Sequence, residues 1–312
     1  MDVSVLLATM GRPALLARTL DSFRALRTDG LRHEIVVVDN GQAPETAALV
    51  SRSGTELPIR YVVEPLPGKN RALNRALPEL QGALIVFTDD DVVVQPDWLV
   101  ELAEGARRWP EHDIFGGRVL PLWPAEGPPP FPHEFQSHAY AIADFARPEG
   151  PYDVGWVFGP NLAIRGHVFR AGWRFDPTVG PDGTRTYRSG GESELLLRLK
   201  RAGHGAIYLP RACVLHQIRE EQLRTSWLYG RAFRQGRARA VRAGHVPGPR
   251  LFGVPRPVLM QLVSAYLKYV ATRFRSDPIT RFDRGVSYWR ARGVLHESRR
   301  LAPGVTEGGA NP

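Results

Sequence analysis

Four short apolar runs, each followed by a segment of helical length, constrain this chain more than any other feature. They are VSVLLA (3–8), IVVVD (35–39), IRYVVE (59–64) and LIVF (84–87). Runs of this length, rich in β-branched residues, read as strands buried in a sheet. Helical signals lie between them. Thr9 offers an N-cap and Pro13 suits a first turn, and Leu15, Leu16, Leu20, Phe23 and Leu26 recur at helical spacing. A helix near 44–52 follows the Asn40-Gly41 turn, and PGKNRALNRAL (67–77) is a glycine turn running into another helix. Strands alternating with helices predict right-handed βαβ units. The fold class is α/β, with a mostly parallel central sheet flanked by helices.

In such a sheet the strand-to-helix junctions share one edge, where ligands bind. The junctions here carry Thr9 and Arg12, then Asp39, then Gly68-Lys69 with Arg71, then TDDDVVVQPDWL (88–99). The last places Asp89, Asp90 and Asp91 directly after LIVF. Three neighbouring carboxylates repel one another, and a hard divalent cation would relieve that repulsion and hold a diphosphate. A solvated acidic turn is the plain alternative. Taken singly, Asp39 reads equally as a turn cap, and Lys69 and Arg71 as solvated helix charges. Taken together in this order, carboxylates for base, ribose or metal and cations for phosphate suit a nucleotide diphosphate. The chain has no GxxxxGK[ST] and no GxGxxG, which excludes a P-loop and argues against a dinucleotide site.

The second half changes character. IFGGRVLPL (114–122) reads as a strand. Pro121, Pro124, Pro128, Pro129, Pro130 and Pro132 exclude a helix or central strand over 121–132 and predict a mobile loop over the site, or a plain surface excursion. Trp156, Phe158 and Asn161 follow. Phe158 reads as core, while the Trp156 ring suits either core or the C–H face of a sugar. In GGESELLLRLKRAG (190–203), Leu195, Leu196 and Leu199 form a buried helical stripe and Gly203 a C-cap. AIYLPRACVLHQI (206–218) is a further strand that ends at His216.

These stretches resemble glycosyltransferase family 2, with its GT-A fold. The matching segments are VSVLLATMGRP (3–13), EIVVVDNG (34–41), PGKNRALNRAL (67–77), TDDDVVVQPDWL (88–99), GPNLAIRGHVF (159–169) and GGESELLLRLKRAG (190–203). The resemblance implies a metal-dependent, inverting transfer of a sugar from a nucleotide-sugar to a hydroxyl of a glycan or lipid-linked acceptor, in cell-surface polysaccharide synthesis. UDP-sugars are favoured as donors, with GDP- and dTDP-sugars as alternatives. The Asp triplet falls where the family has its DxD motif. The donor would then be bound by Thr9, Arg12, Asp39, Lys69, Arg71, Asp89 and Asp90. Mg or Mn would be held by Asp91, Asp89 and His216. Trp156, Asn161 and Glu194 would lie on the acceptor and sugar side.

The base is the point of departure. The family usually has a Glu-Asp pair here, with the Asp taking the proton from the acceptor hydroxyl. In this chain Glu192 aligns with that Asp and Gly191 with the preceding Glu. A capping box formed by Ser189 and Glu192 is the competing reading. Two other functions stay open: a sugar-phosphate nucleotidyltransferase, and an inactive binding protein on the same fold.

Charge divides the chain. The formal net charge is +9 over 312 residues. Between Arg219 and Leu301, however, eighteen Arg/Lys face five Asp/Glu, a net of +13. Domains are therefore expected at 1–218 (catalytic, with a nucleotide-sugar half at 1–112 and an acceptor half at 113–218), at 219–301 (basic and helical) and at 302–312 (a disordered tail). Within the basic part, VLMQLVSAYLKYVATRF (258–274) is apolar but shorter than the roughly 20 residues a spanning helix needs. It fits an amphipathic helix in a membrane interface, or one packed on protein. Peripheral membrane contact through 219–301 is thus expected, with no nucleic-acid partner. The lone Cys213 fits a reducing compartment, and Met1-Asp2 leads straight into a strand. The expected location is cytoplasmic, at the inner face of the plasma membrane.

Overall fold

A computed structural model describes residues 1–130, 133–244, 248–251, 253–272 and 277–301. Its first third follows the strand–helix rhythm: β1 (Val3–Thr9), α1 (Pro13–Phe23), β2 (His33–Asp39), α2 (Pro44–Ser53), β3 (Ile59–Val63), α3 (Lys69–Ala76) and β4 (Leu84–Phe87). β1 pairs in parallel with β2 and β4, and β2 with β3. All residues of β1 and β4 are buried, as strands covered on both faces must be. One face packs on Leu16, Leu20 and Phe23 of α1, the other on Leu73 and Ala76 of α3.

The sheet then becomes mixed. It continues through β5 (Val92–Val94), α4 (Trp98–Arg108), β6 (Ile114–Leu122), α5 (His133–Tyr140), β7 (Gly150–Tyr152), β8 (Leu162–Arg165), α6 (Gly166–Arg170), α7 (Gly191–Arg201) and β9 (Ala206–Gln217). The order is β3-β2-β1-β4-β8-β6-β9-β5, with β7 also beside β9. β8 runs antiparallel to both β4 and β6, while β6 and β9 are parallel. This alternation brings the start of β8 and the end of β9 to the edge where β1, β2 and β4 finish. Leu162 lies opposite Phe87, and His216 lies opposite Val92, the residue after Asp91.

Pro121 closes β6 beyond Gly116, the last β6 residue paired with β8, so its missing N–H falls where one neighbouring strand remains. Pro124, Pro128, Pro129 and Pro130 lie in irregular chain, and Pro132 is outside the described residues.

The strands above and their helices form one compact unit. A second comprises Gly127–His133, Thr184–Gly190 and the chain from Arg219 onward. It contains α8 (Glu220–Leu223), α9 (Thr225–Ala243), a short hairpin of β10 (Arg250–Leu251) and β11 (Val254–Pro255), α10 (Arg256–Ala271) and α11 (Pro278–Arg300). Asp277 caps α11 by accepting from the backbone N–H groups of Ile279 and Thr280. Ala240, Val254, Val258 and Val294 form an apolar cluster, and the Tyr229 ring stacks with Phe282 and Trp289. Inside this unit Arg237 and Glu297 form an ion pair at 2.6 and 2.7 Å, both side chains under 5% exposed. Among the described residues no helix is long and apolar enough to cross a membrane. Arg273 and Phe274 of the apolar segment, and the expected tail 302–312, lie outside those residues.

Candidate active site

The acidic turn after β4 is not solvated. Asp90 is wholly buried and Asp91 nearly so, so the plain acidic-turn reading fails. The premise that a metal must relieve their repulsion also needs correction, because the chain supplies its own cations. Arg12, just past β1, reaches both Asp90 and Asp91, with the Asp91 contact at 2.8 Å. The Thr9 hydroxyl donates to Asp90 at 2.6 Å. Burial pushes the Asp90 carboxyl upward, the Arg12 guanidinium pulls it back, and the Asp91 charge raises it again.

Asp89 is held differently. Lys69, the first residue of α3, donates to Asp89 Oδ1 at 2.5 Å and to Glu192 Oε1 at 2.6 Å. One ammonium therefore bridges the turn after β4 to the first turn of α7. Burial works against the Lys69 charge, but the two carboxylates outweigh it and raise its pKa. Lys69 thus stays protonated and favours the ionised form of Glu192. Two glycines make room for this arrangement. A Cβ on Gly159 would stand 2.4 Å from Glu192 Oε1, and one on Gly191 would stand 2.6 Å from the Asn70 amide. The second contact gives a physical reason for the departure at residue 191: Asn70 occupies the space an acidic side chain would need.

His216 joins Asp91. Its Nδ1 lies 2.6 Å from the Tyr140 carbonyl, which can only accept, so Nδ1 carries the proton. Nε2 then faces Asp91 Oδ1 at 3.4 Å. Burial lowers the His216 pKa, but the Asp91 carboxylate more than offsets this and raises it. A backbone carbonyl that takes the N–H of one imidazole nitrogen is the usual backing of a ligating histidine. Asp89, the third residue expected there, has its Oδ1 bound to Lys69. Among the described residues no group of three or more His, Cys, Asp or Glu side chains converges for an ion. The donor set therefore fits a cation that takes its remaining ligands from phosphate and water, the habit of Mg²⁺ at nucleotide sites.

Several other expected residues hydrogen-bond or form ion pairs within the fold. Asp39 is wholly buried; Oδ1 accepts from the N–H groups of Gly41 and Gln42 at 2.8 and 3.0 Å, and Oδ2 from the Tyr61 hydroxyl at 2.7 Å. Asn161 donates to the carbonyls of Arg118 and Ala212 and accepts from the Trp98 indole, so it clamps β6, β9 and α4. Glu194 makes a two-pronged ion pair with Arg198, which also donates to the Arg174 carbonyl. Arg71 is exposed. Trp156 is half-buried, stacked on His138 at 4.6 Å with Phe145 at its edge. Phe158 packs partly buried on the core and edge-on to His138.

Sequence reasoning missed Asn40, Asn70, His138 and the backbone of Tyr140. Asn40 latches the segment before α3, donating to the Glu64 and Leu66 carbonyls and accepting from the Gly68 N–H. Its place directly after Asp39 was the available signal. His138 and Tyr140 lie in α5, beyond the prolines, where no motif marked them.

Comparison with known proteins finds similar sequences and a similar fold. Residues 4–134 match the sequence profile described as Glycosyl transferase family 2. A glucosyl-dolichyl phosphate glucuronosyltransferase of Haloferax volcanii is 28% identical over 250 residues, covering 77% of each chain. The succinoglycan biosynthesis protein ExoM of Rhizobium meliloti is 29% identical over 246 residues, 76% of this chain and 73% of that one. Among solved structures, the mannosyltransferase PcManGT of Pyrobaculum calidifontis, in complex with GDP-Man and Mn²⁺, superposes with a TM-score of 0.60 at 19% identity over 95% of this chain and 86% of that one. S. aureus TarS gives 0.57 at 14% identity, covering 88% of this chain but only 44% of the other. At these identities the superpositions speak for the fold.

Proposed function

We propose that this chain, which resembles glycosyltransferase family 2 over residues 4–134, is an inverting transferase that uses Glu192 as base and a nucleotide-diphosphate sugar as donor. The carrying observation is the Asp89–Lys69–Glu192 bridge, which ties the donor turn after β4 to the helix bearing the base. The nucleoside would lie against the Thr9–Arg12 segment and the Asp39 turn. Lys69 and Arg71 would approach the diphosphate, with Asp89 and Asp90 on the ribose side. Asp91 and His216 would hold Mg or Mn, and such an ion would offset charge on the departing diphosphate. The Trp156–His138 stack would offer an aromatic face to the acceptor.

In the transfer, the acceptor oxygen bonds to the anomeric carbon from the face opposite the diphosphate. Its proton passes to Glu192. The bond from the anomeric carbon to the diphosphate oxygen breaks, and nucleoside diphosphate leaves. Lys69 keeps Glu192 ionised beforehand and must loosen its hold as the carboxylate takes the proton.

The lipid-linked substrate named for the Haloferax relative and the polysaccharide role of ExoM support a place in polysaccharide or glycolipid synthesis. A lipid-linked acceptor and peripheral membrane contact are parts of this reading. Incubation with a panel of UDP-, GDP- and dTDP-sugars plus Mn²⁺ tests it. Release of nucleoside diphosphate with an inverted anomeric centre in the product is expected. Pyrophosphate release would instead identify a nucleotidyltransferase, and a retained anomeric centre would remove Glu192 from its role.

A further inference from the structure

The second compact unit presents its apolar residues outward. On α10, Met260, Val263, Tyr266 and Leu267 are 61%, 56%, 48% and 61% exposed. Their spacing places them along one side of the helix. The side turned inward is occupied by Val258, which belongs to the unit's apolar cluster. A helix on a water-exposed surface normally shows the reverse arrangement, with polar residues outward. α10 contains no Asp or Glu, and Arg256 and Lys268 stand near its two ends. Leu251 and Ile279, in the hairpin before α10 and the first turn of α11, are a further 53% and 50% exposed.

Charge decides between possible occupants. Residues 219–301 carry a net +13. A second copy of this unit docked on the same face would bring like charges together. An anionic surface would be attracted by that charge and would solvate the apolar residues at the same time. We infer that the outward face of α10, with Met260, Val263, Tyr266 and Leu267, is a docking surface for an anionic lipid bilayer. There the helix lies in the headgroup–acyl boundary and the surrounding arginines contact headgroup phosphates. This rests on the reading of the chain as a transferase with a lipid-linked acceptor, and it names the residues that make the contact.

Vesicle flotation of the full chain tests the assignment, using phosphatidylcholine alone and phosphatidylcholine mixed with phosphatidylglycerol. Binding is expected only to the mixed vesicles, and salt should weaken it. The double variant M260E/L267E, at positions too exposed to carry the fold, should partition roughly a hundredfold more weakly. Its calorimetric binding of nucleoside diphosphate with Mn²⁺ should match the unaltered chain. Failure of the unaltered chain to bind the mixed vesicles overturns the inference. So does equal binding by the double variant, or a dimer in solution that the double variant dissolves, which would make the face an interface between copies. Loss of nucleotide binding in the unaltered chain would count against the transferase reading instead, so the two failures are separable.

Discussion

The two compact units handle charge in opposite ways. In the first, anions and cations are gathered at a sheet edge and matched nearly one for one. Arg12 serves Asp90 and Asp91, Lys69 serves Asp89 and Glu192, and His216 faces Asp91. In the second, one ion pair is buried between helices, and most of a large basic excess has no acidic counterpart within 219–301. Matched, buried charge at the ends of strands is poised: a ligand or a proton can redistribute it. The Arg237–Glu297 pair instead joins two helices, and Arg237 also donates to the Thr186 carbonyl. On the proposed function, the same chemistry would serve reactivity in one unit and packing in the other. Substitutions that remove one carboxylate from each should separate the two uses.

The largest effect is expected at Glu192. Glu192→Gln keeps the size of the side chain and a partner for Lys69 but abolishes its basicity. Turnover should fall by about 10³–10⁴-fold, while donor binding, measured calorimetrically with Mn²⁺, changes little. The thermal midpoint should hold or shift slightly. Near-normal turnover in this variant, with a competent acceptor, would assign the proton to another group.

Glu297→Ala should do the reverse. It strands the buried Arg237 guanidinium, which costs roughly 3–5 kcal/mol when a buried pair is broken from one side. Denaturant unfolding should show that loss, while nucleotide affinity at the first unit stays within about twofold under conditions where the chain is folded. A stability change below about 1 kcal/mol would mean that water rehydrates the Arg237 guanidinium once its partner is gone.

The contrast also explains what could be read in advance. β1, β2, β3 and β4 were legible because strands buried on both faces announce themselves as apolar runs. The start of α3 was legible from its glycine turn, and Asp39 and the Asp triplet from their places after strands. β5 and α4 were not separated, since 88–99 reads as one motif although it contains a turn, a strand and the beginning of a helix. β8 is four residues long, and its antiparallel insertion between β4 and β6 depends on pairing across the fold. The site was legible as a list of acids and bases but not as a network. Lys69 and Glu192 are 123 residues apart. No local pattern tells that Lys69 meets Glu192, or that Asn161 serves the scaffold. The charge of the second unit was plain from composition, whereas the pairing of Arg237 with Glu297 was set by helix packing.

The smallest effect sharpens the comparison most, because it asks whether the matched charge at the sheet edge can be exchanged for a ligand. In the chain without metal, Asp91 raises the pKa of His216 above the ordinary histidine value, even against burial. The sign follows. The stabilisation from the protonated pair is fully present below the ordinary value near 6.5 and is lost as pH rises through the higher folded value. A divalent cation bound by Asp91 and His216 must displace that proton, so its affinity should run the other way. Mn²⁺ binding followed by calorimetry should tighten from about pH 6 to about pH 8, by up to roughly tenfold per pH unit while His216 is protonated. In His216→Gln the slope should flatten, although Asp91 still offers a carboxylate. In Asp91→Asn it should also flatten, because the group that raises the histidine is gone. An affinity independent of pH in the unaltered chain would separate His216 from the metal. The Asp91–His216 contact would then be an ion pair of the scaffold, of the same kind as Arg237 with Glu297.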